Sequence, residues 1–312
     1  MRCVVLDDYQ GVATELADWS GIDVTTCREH LEGDALVEAI GDAEVVVIMR
    51  ERTPFTAALF ERLPALRLLV TSGMRNASID LDAARANGVT VCGTASTSEP
   101  PVELTWALIL GLARNLVREN NSFRENGPWQ STIGTGLAGK TLGLLGFGKI
   151  GVKVARVGAA FGMDVVAWSQ NLTADRTDAE GVRLAPSKEK LLAESDVVSV
   201  HLVLGDRTRG LIDADALRHM RPSAFLVNTS RAAIVEQDAL IEALSANRIA
   251  SAGLDVFEQE PLPADHPLRT LPNVLATPHL GYVTDGNYRT YFREAVEDIH
   301  AFAAGTPLRV LG

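Results

Sequence analysis

The chain has 312 residues, 46% hydrophobic and 22% charged, a globular composition that excludes a disordered or low-complexity chain. Lys and Arg number 29 against 40 Asp and Glu, a net charge of −11 with no basic block, which disfavours nucleic acid or an anionic membrane as partner. At about 150 residues per domain, this length suggests two domains.

MRCVVLDDYQ places Asp7 and Asp8 where a signal peptide would be apolar. Cys3, Cys27 and Cys92 are scattered without a CxxC pair. That pattern reads as reduced thiols in a cytoplasmic protein, not as a disulfide frame or a zinc site. The runs CVVL (3–6), VVVI (45–48), LRLLV (66–70) and VTVC (89–92) are predicted strands, and DALVEAI (34–40) and DLDAARANG (80–88) are amphipathic helices between them. Near-continuous apolar strands separated by helices imply a parallel sheet covered on both faces.

Two prolines follow, and a helix is predicted from about Pro101 to Glu119, apolar on most sides around Trp106, Leu108, Leu112 and Leu116. A helix of that kind is buried, against another domain or a second subunit, so a homodimer is expected. The longest apolar stretch, Leu104 to Leu112, is far short of the roughly 20 residues that cross a bilayer; no membrane partner is expected. NGPWQSTIGTGLAGK (126–140) is a connector.

A second series of strands then runs through TLGLLG (141–146), DVVAW (164–168), DVVSVHL (196–202), AFLVN (224–228), SAGLDV (251–256) and NVLATP (273–278). A closing helix is predicted over Tyr288 to Ala304, with Thr284 or Asp285 capping its start and Gly305 its end. It is expected to return to the first domain.

Gly146-Phe147-Gly148-Lys149-Ile150-Gly151 is G-x-G-x-x-G between a strand and a helix. The first glycine suits a tight turn, the second the approach of a pyrophosphate, and the third close helix–strand packing. The pyrophosphate would meet the unpaired N–H groups of the helix start. The alternative is a tight turn with no ligand. An acid is expected about 20 residues on, to bind the adenosine ribose. Here the strand ends Ser169-Gln170-Asn171, with no acid, and Arg176 lies near. The choice between NAD and NADP stays open, with a slight lean to NADP.

Three ionisable residues follow strands of the second series: Arg231 in NTSR, Glu260 in DVFEQEP and His279 in TPHLG. Ligands of open α/β sheets lie at the carboxyl ends of strands. Each residue has a plain alternative: a surface Arg, one of several surface acids, a His satisfied in a loop. Among the other histidines only His201 also sits at a strand end. No carboxylate–His cluster has ligand spacing, so no metal is expected.

In its ordered motifs GFGKIG, NTSRAA, LDVFEQEP and TPHLG, and from the small lobe to the closing helix, the chain resembles the D-isomer-specific 2-hydroxyacid dehydrogenase family. The resemblance implies two Rossmann-like doubly wound parallel-sheet domains. A flavodoxin-like substrate domain would span 1–97, a dinucleotide-binding domain 98–284, and residues 285–312 would return to the first. It implies a hydride exchanged between NAD or NADP and a small 2-oxo or 2-hydroxy acid.

Arg231 would bind the carboxylate and keto oxygen through planar, paired hydrogen bonds. His279 would be the acid–base. Glu260 would orient His279 and favour its protonated form; relatives that oxidise formate carry Gln there. Asp255 matches the position that bonds the nicotinamide amide. Thr229, Ser230, His201 and Gly281 match other cofactor contacts. Ser72-Gly73-Met74-Arg75 occupies the loop whose N–H groups bind the substrate carboxylate, and Arg75 could admit a dianionic acid. Arg50 and Arg52 are further candidates. Ala232 replaces the usual glycine after the arginine. The competing function is a non-catalytic, corepressor-like assembly module that binds a dinucleotide.

Overall fold

The computed structural model describes residues 1–312. Two units are distinct, Met1–Thr97 with Val283–Gly312, and Ser98–Tyr282.

In the first unit strand and helix alternate: β1 (Arg2–Val5), α1 (Ala13–Leu16), β2 (Asp23–Thr26), α2 (Gly33–Ile40), β3 (Val45–Ile48), α3 (Ala57–Glu61), β4 (Leu68–Thr71), α4 (Leu81–Ala86) and β5 (Thr90–Gly93). All pairings are parallel and the order is β2-β1-β3-β4-β5, the flavodoxin-like arrangement. Every residue of β3 and β4 is buried, as β-branched and Leu runs covered on both faces should be. Phe55 and Phe60 fill one side with ring centroids 5.5 Å apart.

The second unit holds α5 (Glu99–Ala113), α6 (Leu116–Arg124), β6 (Thr141–Leu145), α7 (Lys149–Ala160), β7 (Asp164–Trp168), α8 (Ala174–Asp178), β8 (Arg183–Leu184), α9 (Lys188–Glu194), β9 (Val197–Val200), α10 (Ala214–His219), β10 (Phe225–Asn228), α11 (Gln237–Ser245), β11 (Ser251–Leu254) and β12 (Val274–Ala276). Its parallel sheet runs β12-β11-β10-β9-β6-β7-β8, so the strand order reverses between β6 and β9, the switch point where such sheets bind ligands.

The helix predicted over 101–119 is two helices. Asn115 adopts the left-handed conformation, φ 52°, which Asn enters more readily than other non-glycine residues. Before the break, α5 buries Val102, Trp106 and Ile109 and packs on β10 and β11. Its apolar sides are thus used inside its own unit. After the break Leu116 is 54% exposed, not part of a buried face.

The closing helix α12 (Asp285–Ala303) starts at Thr284, whose hydroxyl accepts from Asn287 N, and ends before Gly305 at φ 77°. It belongs to the first unit and packs on α1 and β4, burying Tyr288, Tyr291, Phe292, Ala295 and Ile299 at helical spacing. The tail then covers the β5 edge: Gly93 N donates to Arg309 O and Leu311 N to Val91 O. No helix is long and apolar enough to cross a membrane.

Candidate functional site

The glycine motif forms the turn from β6 into α7, with Gly148 as N-cap. Gly146 has φ +102°, and a Cβ there would lie 2.5 Å from His201 O. A Cβ on Gly151 would lie 2.3 Å from Gly146 O, whereas one on Gly148 would meet nothing within 4 Å. So the first and third glycines are required by backbone packing, and the second leaves free space over the helix start. Lys149 and Ile150 open α7, a start that leaves N–H groups for an anion. This cradle fits a pyrophosphate.

Beyond β7, Ser169, Gln170 and Asn171 line a cavity of about 220 Å³ together with Arg207 and Trp168. Arg176 does not stand free: its Nη2 donates to Phe147 O at 3.0 Å, in the glycine loop.

Arg231, Glu260 and His279 lie in the loops after β10, β11 and β12, three adjacent parallel strands, and therefore at one edge of the sheet. Glu260 Oε2 is 2.6 Å from His279 Nδ1. The other carboxylate oxygen accepts from Phe257 N at 2.8 Å, which fixes the acid. His279 has φ 53° and stacks edge-on to Tyr282, centroids 5.4 Å apart. A non-glycine residue at positive φ is a strained choice that its surroundings must hold.

Asp255 does much of that holding. It is fully buried; Oδ1 accepts from Thr277 Oγ1 at 2.6 Å and Leu280 N at 2.7 Å, and Oδ2 from Gly281 N at 2.8 Å. Its carboxylate thus staples both flanks of the His279 loop. Burial pushes its carboxyl above the usual range, against the lowering effect of these bonds. The sequence reading gave Asp255 only a cofactor contact and missed this staple.

Arg231 is held at its backbone, where its carbonyl accepts from Asn228 Nδ2 at 3.0 Å, and its Nη1 donates to Ser230 O at 2.8 Å. Ser230 Oγ bonds Leu202 O, and Thr229 Oγ1 lies 2.7 Å from Thr105 Oγ1 on α5. His201, the rival imidazole, bonds Ser199 Oγ at 2.9 Å, and burial holds its ring at about 4. It is therefore neutral near pH 7, not an imidazolium that could act as the acid.

In the first unit Ser72 and Gly73 follow β4, and their N–H groups are already used. Ser72 N donates to Ile48 O and Gly73 N to Thr94 Oγ1. The adjacent donors are those of Met74 and Arg75, both exposed. Gly73 has φ +92°, and a Cβ there would overlap the Arg50 guanidinium, 1.9 Å from Nη1. Arg50 therefore lies on this loop. Arg52 instead stacks over Tyr9 at 4.3 Å and donates to Asp7 O. No cluster of three or more His, Cys, Asp or Glu is arranged to hold a metal ion.

A model of the D-isomer specific 2-hydroxyacid dehydrogenase family, NAD binding domain, matches residues 106–281. The chain is 37% identical over 305 residues to a hydroxypyruvate reductase of Thermotoga maritima, covering 96% of this chain and 97% of that protein. It is 39% identical over 256 residues to a glyoxylate reductase of Aeropyrum pernix, covering 79% and 76%. A phosphoglycerate oxidoreductase from Vibrio cholerae superposes with a TM-score of 0.94 at 37% identity, covering 98% of this chain and 99% of that one. These likenesses establish that the chain belongs to the D-isomer specific 2-hydroxyacid dehydrogenase family.

Proposed function

We propose that the chain interconverts a small 2-oxo acid and its D-2-hydroxy acid with NAD or NADP, through Arg231, Glu260 and His279. The observation that carries this is the 2.6 Å contact of Glu260 with His279 at the same sheet edge as Arg231. A dinucleotide held by its pyrophosphate at the GFGKIG turn would supply or accept the hydride through its nicotinamide. The protein must handle the proton and the charge. With Nδ1 committed to Glu260, Nε2 of His279 is the nitrogen that gives a proton to the keto oxygen in reduction and takes it back in oxidation. The negative charge of Glu260 stabilises the imidazolium that this requires. Arg231 holds the substrate carboxylate and polarises the carbonyl with a planar, permanently charged fork. Asp255 keeps the His279 loop in place, and Thr229, Ser230, His201 and Gly281 border the dinucleotide.

The second unit is the dinucleotide domain on this reading, and the first supplies the Ser72–Arg75 substrate loop, with the donors on Met74 and Arg75. The names of the relatives make glyoxylate and hydroxypyruvate the first substrates to try. Consumption of NADH or NADPH is expected with one of these or with pyruvate. Arg231→Ala should lower kcat/KM by about 10²-fold or more while dinucleotide binding remains. Saturable binding without turnover on a broad 2-oxo acid panel would favour the assembly module instead.

The same reading includes a homodimer in the cytoplasm. Support for the dimer comes from α6 and the segment after it, where Phe123, Trp129 and Ile133 are 66%, 83% and 98% exposed. An apolar surface of this kind marks a protein contact. Light scattering should give twice the chain mass, and Phe123→Ser with Trp129→Ser should give the single-chain mass; a monomeric wild type contradicts it. The cytoplasm is supported by three free cysteines, two of them with thiols pushed by burial up to about 12.

A further inference from the structure

The sheet of the first unit has a switch point of its own. Its order β2-β1-β3-β4-β5 reverses between β1 and β3, and the carboxyl ends of the strands at such a point are where open α/β sheets bind ligands. Two residues there hold a left-handed backbone without being glycine: Asp7 after β1, at φ 57°, and Arg50 after β3, at φ 54°. Such conformations cost energy and persist only where the surroundings fix them. Asp7 is fully buried. Thr53 Oγ1 donates to its Oδ2 at 2.6 Å, Tyr9 OH to its Oδ1 at 3.2 Å, and His30 Nδ1 lies 3.0 Å from the same Oδ1. Its carbonyl accepts from Arg52 Nη1 at 2.8 Å. Asp7 therefore joins the loops after β1, β2 and β3, and it grips the turn 50–53 through two residues. The other end of that turn is tied to the loop after β4. Arg50 N donates to Ser72 Oγ at 2.9 Å, Arg50 Nη1 to Ser72 O at 3.2 Å, and Asn76 Nδ2 to Arg50 O at 2.6 Å.

We propose that Asp7 is a positioning residue for substrate binding: through Thr53 and Arg52 it sets the turn 50–53, and through Arg50 that turn sets the substrate loop after β4. The inference rests on the function proposed above and deepens it, by naming what shapes that loop. The bond from Thr53 to Asp7 is the strongest link of the relay, because a hydroxyl given to a buried carboxylate is worth more than a neutral pair. Removing that donor leaves a buried acceptor unsatisfied. Asp7 acts on the affinity for the 2-oxo acid, and the proton and hydride steps stay with other groups.

Steady-state kinetics of the full chain with glyoxylate, hydroxypyruvate and pyruvate, beside tryptophan-quenching titrations with NADH and NADPH, separate this relay from the dinucleotide site. Thr53→Val keeps the shape and removes the donor. KM for the 2-oxo acid should rise about tenfold, with kcat and dinucleotide affinity within about twofold of wild type. Thr53→Ser, which returns the hydroxyl, should restore KM. Ser72→Ala cuts the far end of the same relay, so adding it to Thr53→Val should raise KM little beyond the worse single variant. His30→Ala, at a more accessible partner of Asp7, should raise KM about threefold and decides the matter where Thr53→Val does not fold. An unchanged KM in folded Thr53→Val or in His30→Ala overturns the proposal. So does a double variant whose KM rises by the product of the two single effects, or a loss that Thr53→Ser fails to restore. A wild type that reduces none of the three acids overturns the function proposed above and this inference with it. A wild type that turns over, with variants that keep its KM, sinks the inference alone.

Discussion

Glu260 and His279 stand 19 residues apart in sequence and meet at 2.6 Å. The contact joins a carboxylate to an imidazole, which makes its role measurable. Gln at position 260 keeps an oxygen for Nδ1 but removes the charge, so the imidazolium loses its stabilising partner. In Glu260→Gln, kcat for reduction should therefore fall by about tenfold or more with dinucleotide affinity kept, and an unchanged kcat would remove Glu260 from this role. Arg231, Glu260 and His279 could be singled out because each lies within a few residues of the end of a predicted strand, with the family resemblance choosing Glu260 among neighbouring acids. What was not legible is how they are held. Asp255 meets Leu280 and Gly281 at separations of 25 and 26 residues, and Arg50 lies on Gly73. No local pattern encodes such contacts; they follow from strand neighbours and from a missing Cβ.

At the scale of elements, the parallel strands were readable because burial on both faces leaves them almost free of polar residues. The helix after Pro101 was readable in its first half only. Arg114 and Asn115 are compatible with a helix by composition, and the break is a matter of backbone: Asn115 at φ 52° turns the chain before α6 begins. Alanine resists that conformation. Asn115→Ala should cost about 1–2 kcal/mol of stability, whereas Asn115→Gly should be close to neutral; denaturant unfolding reads the difference. Equal stability of the two variants would mean that α5 and α6 can run on as one helix. The break also separates two roles, a buried α5 that supports β10 and β11 and an exposed α6 that carries the proposed contact between copies.

At the scale of the molecule, the alternation of strands and helices gave away two α/β units, and the C-terminal helix joins the first of them. That junction contains a titrating group. Asp298 is fully buried on α12 and bonds Arg309 Nε at 3.0 Å. Burial raises its carboxyl to about 6, against the opposing pull of Arg309. A folded-state value above the unfolded one favours the folded chain while the group is protonated, and this contribution is lost as pH rises through about 6. Asn mimics the neutral acid. The melting temperature of Asp298→Asn relative to wild type should therefore climb between about pH 4 and 6, roughly the window between the ordinary carboxyl value and the raised one. A constant difference across that range would contradict the assignment.

The central claim is that His279 moves the proton while other groups hold the dinucleotide. Its most direct measurement is the pairing of kcat for 2-oxo acid reduction with the dinucleotide dissociation constant in His279→Gln. The account predicts a fall in kcat of about 10²–10⁴-fold with dinucleotide affinity kept. Wild-type kcat in the variant, or a loss confined to dinucleotide binding, would contradict it.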